Sequence, residues 1–177
     1  MGSDLSSELV NLASQNYPKE HFLTIDLNTP LPFPAKHFDT GIFNVSLLDL
    51  KNLSATAQEM HRVIGKKVLV ISVNPYYGFP IGEWKRSVWQ KIFRRHPHLT
   101  LNPYVPWVLK SNRQFHWANN RLTSYFYTLP EQITAFTTAG FTLSHIQDIY
   151  LPNPVHDYNL AFRLNQFPIF ILFEFTL

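Results

Sequence analysis

The spacing of apolar and polar residues along the chain predicts an alternation of helices and strands. Ser6 to Gln15 reads as a helix: Ser6 or Ser7 caps it, Leu9, Val10, Leu12 and Ala13 give it an apolar side, and Pro18 stops it. His21 to Leu27 is a short strand, and the three prolines between Asn28 and Lys36 make a loop. Phe38 to Leu48 is apolar and short enough for a buried strand running into a turn. Ser54 to Ile64 predicts a helix with Ser54 as its N-cap and Gly65 at its end. Lys66 to Val73 is a continuous β-branched run, the pattern of a strand covered on both faces. Between 75 and 128 prolines and aromatics break the rhythm, and inside this stretch Gly82 to His96 reads as an amphipathic helix with Trp84, Val88 and Ile92 as its stripe. Regular order returns with a helix from Pro130 to Ala139, ended by Gly140, then strands over Phe141 to Leu151 and Phe167 to Leu177. Strands alternating with helices predict an α/β sheet. The last two strands are joined without a helix, which makes the final one antiparallel to its neighbour.

Composition narrows the chemistry. The 177 residues are 45% hydrophobic and 15% charged, which predicts one globular domain. Aromatic residues at 15% are enough to line a pocket as well as fill a core. There is no cysteine, so disulfides, thiolate zinc sites and thiol catalysis are excluded, and a cytoplasmic location is expected. A net charge of +3 is too slight for a committed nucleic-acid binder. No apolar run has membrane-spanning length, and no signal-peptide pattern opens the chain. His96-Pro97-His98 is the densest histidine pair, but no carboxylate lies near it in sequence and proline between two ligands is awkward, so no metal is expected. The basic residues of the 82–96 segment read as the solvated face of a cap helix, with no nucleic-acid or membrane partner.

Four local motifs stand in order along the first 74 residues. They are Gly2-Ser3-Asp4-Leu5-Ser6 followed by Leu12-Ala13; Asp26 with Leu31-Pro32-Phe33-Pro34 and Phe38-Asp39; Asn44-Val45-Ser46-Leu47-Leu48; and Glu59-Met60-His61-Arg62-Val63-Ile64 with Lys67 to Ser72. Together they resemble the class I S-adenosylmethionine-dependent methyltransferase domain of the small-molecule type. The segment from His116-Trp117 to Gly140-Phe141 is similar to a later part of the same family.

The resemblance implies a Rossmann-like sheet whose last strand is antiparallel. It further implies one domain over 1–177, with 1–74 and 129–177 as the α/β core and 75–128 as an inserted cap. It implies S-adenosylmethionine as cofactor and methyl transfer to a small-molecule acceptor by in-line displacement. Carried over residue by residue, Asp4, with Leu5 beside it, would hold the ribose hydroxyls. Asp26 would accept from the adenine amino group, Leu27 would pack near the ring, and Asn44 would lie beside the methionine part. His116 becomes the candidate general base, and Tyr76, Tyr77 and Trp117 the candidate acceptor pocket. The same residues have plainer readings: a helix-capping carboxylate for Asp4, a turn former for Asp26, a strand-end cap for Asn44, and a surface or packing histidine for His116. Methyl transfer from a sulfonium needs no protein nucleophile, so the lack of a triad signature is expected.

One departure bears on the fold. In the resembled family a first strand and a glycine-rich turn precede the G-x-D-x-S segment, whereas three residues precede Asp4. A fragment or mis-started product, completion by a second chain, and a rearranged fold all fit this pattern. So does a second functional reading, a non-catalytic methyltransferase-like interaction protein. The strands Asp39–Leu47, Lys66–Val73, Phe141–Leu151 and Phe167–Leu177 are expected to form one sheet, in family order fourth, fifth, seventh, sixth. Asp39–Leu47 would then be an edge. The expected relief is that His21–Leu27 slides in and pairs with it, with self-association through the unpaired edge as the alternative.

Overall fold

A computed structural model describes residues 1–74, 82–85, 98–101, 114–117, 122–150, 168 and 170–177. The chain opens with β1 (Gly2–Asp4), α1 (Ser7–Asn16) and β2 (Phe22–Thr24). β3 (Phe38–Asn44) follows, then a 3-10 turn (Ser46–Asp49), α2 (Leu53–Val63) and β4 (Ile64–Val73). Two antiparallel strand pairs come next, β5 (Gly82–Lys85) with β6 (His98–Leu101) and β7 (Gln114–Trp117) with β8 (Leu122–Tyr125). The chain closes with α3 (Leu129–Thr138), β9 (Thr142–Ile149) and β10 (Phe170–Thr176).

The main sheet has the order β3-β4-β10-β9. β3 and β4 are parallel, and β10 runs antiparallel to both its neighbours. This is the expected order and the expected sense of the last strand. α2 and α3 cover one face. The core between them and the sheet holds Phe43, Leu53, Ala57, Met60, Val63, Val68, Val70, Phe136, Ile171, Phe173 and Phe175, all buried. Along β4 and β10 the buried positions alternate with half-buried ones, so the two faces are not equally covered. The Phe136 ring stacks on Phe175 at 4.6 Å between centroids. Gly140 ends α3 at φ +109°, and a Cβ there would meet His61 Nε2 at 2.8 Å, so this position needs glycine for both conformation and space.

Several local expectations are corrected. β2 pairs with β1 in parallel, not with β3, so the outer edge of β3 has no strand beside it among the described residues. The pairing of β1 with β2 satisfies backbone groups that a move of β2 alone would abandon. α2 is capped by Asn52, whose side chain accepts from Ala55 N at 3.1 Å, and not by Ser54. Gly65 does not end that helix in a left-handed turn: the chain passes directly from Val63 into β4. Gly82–Lys85 is a strand paired with His98–Leu101, not the start of a helix; the rest of that expected helix lies outside the described residues. α1 has the expected Ser6 cap, which accepts from Leu9 N at 3.3 Å, and α3 has a full capping box between Thr128 and Glu131.

The chemistry of the fourth motif is structural. Glu59 Oε1 accepts from Leu31 N at 2.6 Å, and Arg62 donates to Phe33 O at 2.6 Å and Leu31 O at 3.0 Å while pairing with Glu59. The two side chains, one turn apart on α2, therefore pin the Leu31-Pro32-Phe33-Pro34 loop to the helix.

Candidate functional site

Two adjoining cavities, of about 450 and 490 Å³, open where the carboxyl ends of β1 and β3 come together. Ser3, Asp4, Ile25, Leu27 and Ser46 line both. Met1 to Asp4 face Phe38 to Asn44 across the larger one, so β1 rather than β2 looks across this cavity at β3. Asp4 to Ser6 meet Ser46, Asp49 and Leu50 in the smaller one, so the two strands run in the same direction. A parallel strand–helix–strand crossover is right-handed. β2 lies on the far side of β1 and β4 on the far side of β3, so the two crossovers diverge from this point and place α1 and α2 on opposite faces. Such a point of divergence is where open α/β sheets bind ligands.

The sequence-selected residues gather here. Asp4 ends β1, and its Oδ1 accepts from Ser6 N at 2.8 Å, which fixes the turn into α1. Asp26 follows β2, and its Oδ1 accepts from Asn28 N and Asn28 Nδ2, both at 2.9 Å. Asp26 thus acts as the turn former of its plainer reading, whereas the helix cap is Ser6 and Asp4 braces the turn before it; among the described residues the second oxygen of each aspartate has no hydrogen-bond partner. Leu5 and Leu27 line the smaller cavity, Leu27 the larger one too, and Asn44 lies exposed on the larger. Tyr76 and Tyr77 lie outside the described residues. His116 and Trp117 lie on the backbone of β7, but the placement of their side chains lies outside what is described.

Three features of the site had no clear signal in the sequence. Asp49 lines the smaller cavity, and its carboxyl is raised above the usual aspartate range, first by burial and then by the charge of Asp4. Asn28 ties the end of β2 to the turn after β3: its Nδ2 donates to Asp49 O at 3.3 Å and its Oδ1 accepts from Lys51 N at 2.7 Å. Val45, a β-branched residue, sits at φ +62° between Asn44 and Ser46 while its N–H still bonds Ile71 O at 2.8 Å. A left-handed β-branched residue stores on the order of 1–3 kcal/mol, and such strain concentrates at functional sites. Here it ends β3 at the cavity rim.

Thr123 of β8 also lines the smaller cavity, and Tyr127 Oη donates to Leu50 O at 2.7 Å. A further cavity of about 490 Å³ lies between α2 and α3, and none of the sequence-selected residues lines it. Among the described residues no group of three or more histidine, aspartate or glutamate side chains could hold a metal, and no helix is long and apolar enough to cross a membrane.

Residues 1–71 match a family model described as a methyltransferase domain. No curated protein matches the chain. Among solved structures, a putative S-adenosylmethionine-dependent methyltransferase from Listeria monocytogenes aligns with a TM-score of 0.75 at 13% identity, covering 99% of this chain and 78% of that one. One from Mesorhizobium loti aligns with a TM-score of 0.71 at 16% identity, covering 99% and 79%. A chain from the complex between a Haloferax volcanii methyltransferase activator and a putative methyltransferase aligns with a TM-score of 0.59 at 17% identity, covering 99% and 70%. The chain has the Rossmann-like fold of class I S-adenosylmethionine-dependent methyltransferases, and its first 71 residues carry the sequence pattern of a methyltransferase domain.

Proposed function

We propose that the cavity between β1 and β3 is an S-adenosylmethionine site and that the chain serves methyl transfer to a small-molecule acceptor. The observation that carries this reading is the convergence of Asp4, Asp26 and Asn44 on adjoining cavities at the point where the two crossovers diverge. The residues present fit the cofactor: two carboxylates whose second oxygens have no hydrogen-bond partner among the described residues, an apolar wall of Ile25, Leu27 and Leu50, and a polar end at Asn44 and Ser46. Asp4 accepts from the ribose hydroxyls, since a carboxylate takes both at once. Asp26 accepts from the adenine amino group, Leu5 and Leu27 pack near the ring, and Asn44 lies towards the methionine end. The cofactor supplies an activated methyl group, and the chain holds donor and acceptor in line and excludes water. His116 is the candidate base where the acceptor loses a proton, and Tyr76, Tyr77 and Trp117 are candidates for the acceptor pocket. The work is done without nucleic acid, metal or membrane, in the cytoplasm.

Among the described residues no strand pairs with the facing edges of β1 and β3, which supports a second reading, in which the chain is a non-catalytic methyltransferase-like interaction protein. The larger cavity is walled by strand edges rather than by a phosphate-loop-like backbone cradle, so cofactor binding is expected to be weaker than micromolar. Calorimetric titration with S-adenosylhomocysteine separates the readings. The cofactor reading expects measurable binding that Asp4→Ala weakens by about 1–3 kcal/mol, the effect of leaving buried partners unsatisfied. Binding that is equal in wild type and Asp4→Ala would make Asp4 a turn carboxylate alone, and no binding at all would leave the interaction reading.

A further inference from the structure

The carboxylate of Asp26 is not free to turn. Its Oδ1 accepts from Asn28 N and from Asn28 Nδ2, both at 2.9 Å. Its backbone oxygen accepts from Thr29 N at 3.1 Å and from Thr29 Oγ1 at 2.8 Å. The second hydrogen of Asn28 Nδ2 goes to Asp49 O at 3.3 Å, and Asn28 Oδ1 accepts from Lys51 N at 2.7 Å. Both donors of the amide are therefore used inside the protein. Asn28 lines the smaller cavity with Asp26 and Leu27, yet its side chain keeps no N–H for a ligand. The turn it grips is held a third time, by Tyr127 Oη on Leu50 O at 2.7 Å. Thr56 Oγ1 of α2 donates to Leu27 O at 3.2 Å. The segment that carries Asp26 is thus anchored, at Leu27 and at Asn28, to the part of the fold that holds the core.

We propose that Asn28 is a positioning residue that makes the cavity selective for a 6-amino purine over a 6-oxo purine. The inference rests on the cofactor reading and names what sets its base preference. An ionised carboxylate only accepts hydrogen bonds. A 6-amino group donates to it, whereas a 6-oxo group presents lone pairs. That contrast separates the two bases only when the carboxylate is held still, because a 6-oxo purine carries an N1–H next to its oxygen. A carboxylate that swings follows this N1–H and takes either base. Asn28 removes the swing. Its two bonds to Oδ1 set the plane of the Asp26 carboxylate, and they leave for the ligand Oδ2, which has no hydrogen-bond partner among the described residues. Ile25, Leu27 and Leu50 line the same cavity and keep a flat ring from sliding to a new register. A 6-oxo base then leaves both its own oxygen and Oδ2 without a donor, and unpaired polar groups are what give hydrogen-bonded sites their discrimination.

The probes are S-adenosylhomocysteine and its 6-oxo counterpart S-inosylhomocysteine, titrated separately into the full chain and followed by nuclear magnetic resonance. The wild type is expected to prefer the 6-amino ligand by about tenfold or more. Asn28→Ala is expected to cut that preference to about threefold or less, by weakening the 6-amino ligand while the 6-oxo ligand keeps its affinity. Asn28→Asp retains an acceptor for Lys51 N but loses both side-chain donors and sets a like charge beside Asp26, so it is expected to lose the preference as Asn28→Ala does. Thr56→Val loosens the same segment at Leu27 O without touching Asp26, and is expected to keep the wild-type ratio whatever it does to stability. A ratio unchanged in Asn28→Ala, a ratio restored in Asn28→Asp, or an equal loss in Thr56→Val would each overturn the proposal and leave Asn28 a loop tether. Equal affinity of the wild type for both ligands would overturn it too, with the cofactor reading intact. Binding of neither ligand would overturn the cofactor reading, and this inference with it.

Discussion

β1–α1–β2 and β3–α2–β4 are built on the same plan, two parallel strands joined by a helix, and they are held in opposite ways. In the second unit α2 buries Leu53, Ala57, Met60 and Val63 against β4 and α3, and β4 has β3 on one edge and β10 on the other. In the first unit no residue from 1 to 30 is buried, α1 leaves its leucines exposed, and among the described residues each strand has a neighbour on one edge only. Local pattern is enough to form a capped helix and a pair of short strands; burial needs a second layer and a second neighbour. The comparison matters for function because the site straddles the two units. Asp4 and Asp26 lie on the loose one, while Asn44, Ser46 and Asp49 lie on or beside the firm one. Binding sites are commonly drawn from segments of low local stability.

The sharpest way to break this contrast is in the core of the firm unit. Phe136 is fully buried and stacked on Phe175, and Phe136→Ala is expected to destabilise the chain by about 3–5 kcal/mol in urea titration. A loss below about 1 kcal/mol would mean that the described core does not hold the fold. Next is the clamp from α2 to the loop. Arg62→Ala removes the donors to Leu31 O and Phe33 O and strands the Glu59 carboxylate, for an expected loss of about 1–3 kcal/mol.

The same clamp sets an acid dependence. The Arg62 hydrogen bond, helped by Leu31 N–H and by the Arg62 charge and opposed by burial, holds Glu59 below the usual glutamate range. Its folded-state value is depressed, so its contribution is present above the ordinary glutamate range and is lost as pH falls through that lower value. Asp49 works in the other sense: burial first, then Asp4, raise it, so the folded chain regains stability as pH falls through that raised value. Denaturation followed from about pH 7 to pH 3 is expected to show a shallower acid loss in Glu59→Gln and a steeper one in Asp49→Asn. Opposite slopes would overturn these assignments.

Smaller effects test how the units are joined. Tyr127→Phe deletes the bond to Leu50 O beside the cavity and is expected to cost about 0.5–1.5 kcal/mol. Leu9→Ala on exposed α1 is expected to change stability by no more than about 0.5 kcal/mol, and α1 amides are expected to exchange faster than those of β4 and β10. A large loss from Leu9→Ala would show that α1 is covered after all and would erase the difference between the units.

Much of the architecture was legible along the chain because it depends on short-range pattern. The β-branched run of β4, the capping signal at Ser6 and the lack of a helical pattern in the sequence ahead of the last strand were enough to place elements and to make β10 antiparallel. The motifs picked out Asp4, Asp26 and Asn44, and these do lie on adjoining cavities. Other features were decided only by contacts between distant segments. Ser54 and Asn52 are both good caps in sequence, and the chain path chose Asn52. Gly82–Lys85, the first residues of an expected amphipathic helix, pair instead with His98–Leu101, because short-range periodicity yields to a strand partner. Nothing near Glu59 or Arg62 in sequence reveals that they grip a loop some thirty residues earlier. The choice of partner for β2 was likewise tertiary: apolar patterning makes a strand, while hydrogen-bond satisfaction across the sheet decides which edge it joins, and it joined β1 rather than β3.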